Sequence, residues 1–172
     1  MTGESRRNRL IGFYFEESQR CSRARAYLAA SVFLAAALEA AIMEIASIYP
    51  SRVRRTTTWV RVSKRRKNLL FWTLGELIEL ANEIDWLPAK FGVKSGASWS
   101  TVKAGGDIGD FVEIIREMRN LVHAGKYLRH YPSLVVRAHH YKSCFDILQA
   151  ATATLRSQLE ASIHRRLARA KP

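Results

Sequence analysis

Ala26–Tyr49 reads AYLAASVFLAAALEAAIMEIASIY, and its spacing decides the fold class. Leu28, Ala35, Ile42 and Tyr49 recur every seven residues, and Ser31, Leu38 and Ile45 follow the first three at an offset of three. Two such rows draw one apolar seam along a helix, the pattern of a bundle helix packed against neighbours. The run is also long enough to suggest a transmembrane span. Glu39 and Glu44 argue against one, because ionised groups are costly in hydrocarbon. The run also starts too late for a signal peptide. Pro50 is expected to end the helix, since proline lacks the amide hydrogen a helix needs.

Working outward, the C-terminal third repeats the pattern. Leu134, Tyr141, Leu148 and Leu155 form one row, and Ala138, Phe145, Thr152 and Leu159 the other. Pro132 suits the first turn of this helix, which is expected to reach Ile163 or beyond. Its basic end, HRRLARAK, suits the negative pole of a helix. Thr73 and Glu76 have the spacing of a capping box, with Trp72 and Leu77 as the accompanying staple. They open a helix to about Leu87, stopped by Pro88, with Leu74, Leu77, Ile78, Ala81 and Ile84 inward. Glu76, Glu79, Glu83 and Asp85 form its wet face. Residues 1–12 read as a loose basic arm or the first turns of a helix continuing through Phe13, Tyr14 and Phe15. The prediction is an all-α, up-and-down bundle of four to five helices in a single domain over residues 1–172.

Between these helices, Asp107–Arg129 reads DIGDFVEIIREMRNLVHAGKYLR. Phe111, Ile114, Ile115, Met118, Leu121 and Val122 recur at helical spacing. Asp107 or Asp110 suits the N-cap, and Ala124-Gly125 suits the C-terminal turn. Arg116, Arg119 and His123 share one sector of this helix, within about 60° of each other. The guanidiniums and the imidazole thus flank the buried face. Glu113, Glu117 and Glu39 are alternative ion-pair partners for the two arginines, and His123 also suits the negative helix end.

Charge is unevenly placed. The chain of 172 residues carries a net charge of +13, which favours a polyanionic partner. Ser51–Asn68, SRVRRTTTWVRVSKRRKN, holds eight basic residues and no acid. Its β-branched TTTWVRV reads as a strand or extended loop. The segment is expected to be a mobile connection, or an arm whose Arg54, Arg55, Arg61, Lys64, Arg65, Arg66 and Lys67 track phosphates while Trp59 stacks on a base. Residues 89–106 are rich in Gly and Ser and read as a flexible loop, with Trp99 as a packing plug or an exposed platform. Cys21 and Cys144 are expected to be reduced, partly buried thiols. His139 and His140 are expected to point about 100° apart on a helix and not to share a ligand face. No metal site and no cofactor are expected.

With the bundle pattern and RNLVH closing its central helix, the chain resembles the HEPN superfamily of small prokaryotic helical domains found in toxin–antitoxin and defence systems. The resemblance covers roughly residues 13–165, as helix order and motif placement. It implies a cytoplasmic homodimer that binds RNA or another nucleic acid, with an antitoxin or defence-system partner and no membrane association. Active members of that family are metal-independent endoribonucleases. Their motif is an arginine, often with a polar neighbour, and a histidine after four to six intervening residues. Arg119 and Asn120 match the arginine and its neighbour, and His123 the histidine, with three residues between. Arg116 has six residues between it and His123, but Glu117 follows it. One arginine has the neighbour, the other the distance. On the resemblance, Arg116, Arg119, Asn120 and His123 are the candidate catalytic set. His123 would act as acid or base, and a guanidinium would clamp the phosphate.

Overall fold

The computed structural model describes residues 6–87 and 136–169, with side chains from Arg9 to Leu87, from Val136 to Gln158 and at Glu160. The protein is an all-α helical bundle. Six α-helices and one 3-10 turn make up the described residues: α1 (Arg6–Arg23), α2 (Tyr27–Ile48), α3 (Pro50–Val53), α4 (Thr57–Ser63), the turn Leu69–Phe71, α5 (Leu74–Glu83) and α6 (Ala138–Arg169).

The apolar run forms α2, the hub of the fold. Its buried residues include Leu34, Leu38, Ile42 and Ile45, alternating with Ala30, Ala35, Ala37, Ala40 and Ala46. The alanines let neighbouring backbones approach closely, and the larger side chains fill the space between helices. Burial on more than one side lets α2 meet α1, α5 and α6 together. Leu28 and Tyr49, the ends of the expected seam, are partly buried against the same core. By length and composition α2 would also suffice to cross a bilayer. Here its buried positions pack against the other helices.

The α1–α2 link is only three residues long, and its geometry reverses the chain. Arg25 adopts φ 61°. The Ala26 amide donates to Cys21 O and the Arg25 amide to Ser22 O, both at 2.9 Å. This is a Schellman ending. The same ending closes α5, where Asp85 has φ 57°. There the Trp86 amide donates to Ala81 O at 2.8 Å and the Asp85 amide to Asn82 O at 3.1 Å. Neither site uses glycine, so each bears the left-handed strain of a side chain, about 1–2 kcal/mol. The ring of Trp86, fully buried, lies 6.1 Å from that of Tyr49. It anchors the end of α5 to the end of α2.

The long C-terminal helix begins at Ala138 and continues past Ile163 to Arg169. Tyr141, Leu148 and Leu155 face the core as the heptad row predicts. The second row is corrected in part: Phe145 packs against the core as Tyr141 does, but Cys144 and Ala151 are the buried positions, whereas Ala138 is exposed and Thr152 only partly covered. The seam therefore runs at the same offset of three as in α2. Small side chains at 144 and 151 allow α6 to approach α2, and Phe145 turns toward α1, 5.3 Å from the Phe15 ring. Ser18, fully buried, donates to the Tyr141 hydroxyl at 3.3 Å and ties α1 to α6.

Both cysteines are free thiols, Cys144 buried and Cys21 half-buried. Burial pushes the Cys144 thiol up to about 12, against the opposing effect of the Ser31 hydroxyl bonded to it. It is an inert packing group at neutral pH.

Of the two alternatives for the N-terminus, a loose arm or the first turns of a helix, the helix holds from Arg6. The expectations for the flexible loop 89–106, Trp99, the central helix over 107–129, Pro88, Pro132, Leu134 and the Leu159 side chain fall outside the described residues.

Candidate nucleic-acid interface

The basic segment is neither strand nor extended loop. Pro50 ends α2 and starts α3 at once, because its fixed φ suits a first helical turn. Thr56, read as a strand residue, is an N-cap: its Oγ1 accepts from the Trp59 amide at 3.0 Å and donates to Val53 O at 2.7 Å. Thr57–Ser63 is then helical, with Thr58 and Val62 buried. The local pattern favoured β structure, and contacts from α5 override it.

Those contacts come from the acids expected to form a wet face. Glu83 accepts the Thr57 amide at 2.5 Å and the Thr58 amide at 3.0 Å. Hydrogen bonding from the Thr58 amide, with help from Thr57 and against some desolvation, holds its carboxyl down at about 2. Glu79 pairs with Arg61. Glu76 completes the capping box with Thr73 and also accepts from Arg66 Nη1 at 3.0 Å. Burial pushes Glu76 up, but the Thr73 amide and hydroxyl with Arg66 and Arg65 outweigh it and hold the group below its usual range. One face of α5 is thus a row of carboxylates that grips the basic segment.

The turn after α4 is braced just as closely. Asn68 Oδ1 accepts from the Leu70 amide at 3.0 Å, and Asn68 O accepts from the Phe71 amide at 3.0 Å. Trp72 Nε1 donates to Arg66 O at 2.8 Å, and Arg66 Nη1 reaches Phe71 O at 3.3 Å. Trp72 is buried and stacks on Trp59 at 5.6 Å and 28°. Trp59 therefore belongs in part to the core, with one face committed to Trp72.

This bracing sorts the eight cations into two groups. Arg52 donates to Ile84 O at 3.1 Å, Arg61 is paired with Glu79, and Arg66 with Glu76. Arg54, Arg55, Lys64, Arg65 and Lys67 are exposed, and their side chains make no ion pair or hydrogen bond among the described residues. Arg54 and Lys67 lie on a groove of about 480 Å³ between the end of α2 and the turn, with Ser47, Pro50, Trp59 and Leu70 among its walls. Arg55 and Lys64 flank a shallower depression of about 340 Å³ with Thr57 and Val60. Leu70, which lines the groove, and Phe71, next to it in the turn, are 61% and 69% exposed. Sequence reading missed them, because LLFW looks like a core run; only the turn shows which two of the four face water.

Arg116, Arg119, Asn120 and His123, the candidate catalytic set, lie outside the described residues. The histidine pair at the start of α6 departs from expectation. His139 Nε2 and His140 Nε2 lie 3.1 Å apart, with ring centroids at 3.9 Å. The cause is local: His140 turns back so that its Nδ1 accepts from the Arg137 amide at 3.0 Å, which brings its ring over its neighbour. Burial, then the His139 and Arg137 charges, hold His140 below the usual imidazole range. No group of three metal-ligating side chains occurs among the described residues. No protein-family model, curated protein or solved structure matches this chain.

Proposed function

We propose that this chain is an RNA-binding helical bundle, HEPN-like in organisation, acting as a cytoplasmic homodimer with an antitoxin or defence-system partner. The observation that carries the binding reading is the set of five exposed cations on a folded surface. Among the described residues, Arg54, Arg55, Lys64, Arg65 and Lys67 make no ion pair or side-chain hydrogen bond, while neighbouring Arg61 and Arg66 do. Cations left in this state attract phosphates and release the counterions condensed on them. The catalytic form of the reading rests on the sequence motif. His123 would take the proton of a 2′-hydroxyl or protonate the leaving oxygen, Arg119 or Arg116 would hold the phosphate, and Asn120 would orient either. Two copies facing each other across a dimer axis would complete the site.

The three-residue gap between Arg119 and His123 favours a second form: the same dimer without cleavage, binding RNA or a partner protein. Incubation of pooled RNA with wild type and His123→Ala in a chelator separates the two. The catalytic form predicts cleavage by wild type alone, with 2′,3′-cyclic phosphate ends. Retained binding without cleavage supports the second form. Failure of either protein to bind RNA would contradict both.

A further inference from the structure

We infer that the nucleic acid this surface takes is single-stranded, with one unpaired base seated in the groove beside Trp59 and Leu70 and its phosphates held by Arg54 and Lys67. This rests on the nucleic-acid reading above and deepens it.

A duplex offers a protein phosphates, groove edges and sugars; its base faces are stacked inside. Cations alone would serve it, and exposed apolar side chains would gain little from it. The surface here is built otherwise. Lys67, Leu70 and Arg54 all line the groove, Arg54 from the segment that follows α2. Leu70 and Phe71 are the most exposed large apolar residues among those described. They are not loose: the turn carrying them is pinned by Asn68, Arg66 and Trp72. A rigid turn that holds an aromatic ring and a leucine in water, next to two cations without an ion pair among the described residues, fits a ligand with alternating planar apolar and anionic parts. An unpaired polynucleotide strand is such a ligand, because each base has a π-face and each link a charge. The groove admits one base in part, and Phe71 offers a stacking platform for its neighbour. Trp59 contributes a wall; its other face is occupied by Trp72.

The test uses the full chain and fluorescence anisotropy. The probes are a short 2′-O-methylated RNA strand, which cannot be cut through its 2′-hydroxyl, and the same strand annealed to its complement. The inference predicts that the single strand binds about tenfold more tightly than the duplex at equal salt. Phe71→Ala should cost the single strand about tenfold and leave the duplex unchanged. Ser47→Trp, at an exposed position on the groove wall, should do the same by filling the groove. Melting curves check that both variants fold. Equal affinity for the two probes, with both variants silent, would overturn the inference and leave RNA binding intact. No affinity for either probe would remove both readings. Binding to phosphatidylserine vesicles that Phe71→Ala abolishes, with RNA binding unaffected, would assign the turn to a lipid surface and also overturn it.

Discussion

The α2–α6 seam and the segment from Pro50 to Trp72 hold together by opposite means. In the seam, order comes from apolar side chains spaced every three and four residues along one helix, so the information is local. Leu34, Leu38 and Ile42 meet Cys144, Ile147 and Leu148 in one core cluster. In the basic segment, order comes from groups distant in sequence. Glu83 braces Thr57 and Thr58, Glu79 holds Arg61, and Glu76 holds Arg66. The seam is maintained by burial, which pH and salt leave nearly unchanged. The segment is maintained by carboxylates and amides, which both can weaken.

That contrast is breakable first at the seam. Leu38, fully buried, should cost about 2–5 kcal/mol when cut to alanine, because the void among packed helices relaxes only in part. Chemical denaturation at two pH values checks it. The destabilisation should be the same at both, since no titrating group is removed.

At the segment the expected change is smaller and pH-dependent. Glu83 titrates near 2 in the fold against an ordinary value of 4.5. A depressed carboxyl contributes stability above its unfolded value, and that contribution disappears as pH falls from 4.5 toward 2. Glu83→Gln should therefore lower the melting temperature modestly at neutral pH. Near pH 2 wild type and variant should melt alike. Glu83 lies near the surface, so solvent screening keeps the effect small. A constant difference across the whole range would give the bracing to something other than charge.

The same contrast explains what is legible in the sequence. The rows in α2, the capping box at Thr73 and Glu76, and the Tyr141–Leu148–Leu155 row are readable because each depends on neighbours a turn or two away. The second row of α6 falls one position from its expected place, since Phe145 and Cys144 are both apolar and only packing tells which one α2 accepts. Thr56–Val62 misleads because β-branched residues resemble a strand until a distant carboxylate braces them as a helix. Arg25 and Asp85 give no signal for a left-handed turn, which glycine would have supplied. The cations of the basic segment are legible as a group. Their division into held and unheld, and the exposure of Leu70 and Phe71, come only with the placement of α5 and the turn.

The salt dependence of RNA binding in two variants tests the central claim most directly. One variant replaces the unheld cations Arg54, Arg55, Lys64, Arg65 and Lys67 with alanine; the other replaces Arg61 and Arg66. Each phosphate no longer neutralised by the protein should reduce the slope of log affinity against log salt by about 0.7 on a single strand. The slope should fall by about 3.5 in the first variant and stay near the wild-type value in the second. Equal reductions per residue in the two variants, or a larger reduction on removing Arg61 and Arg66, would contradict the account.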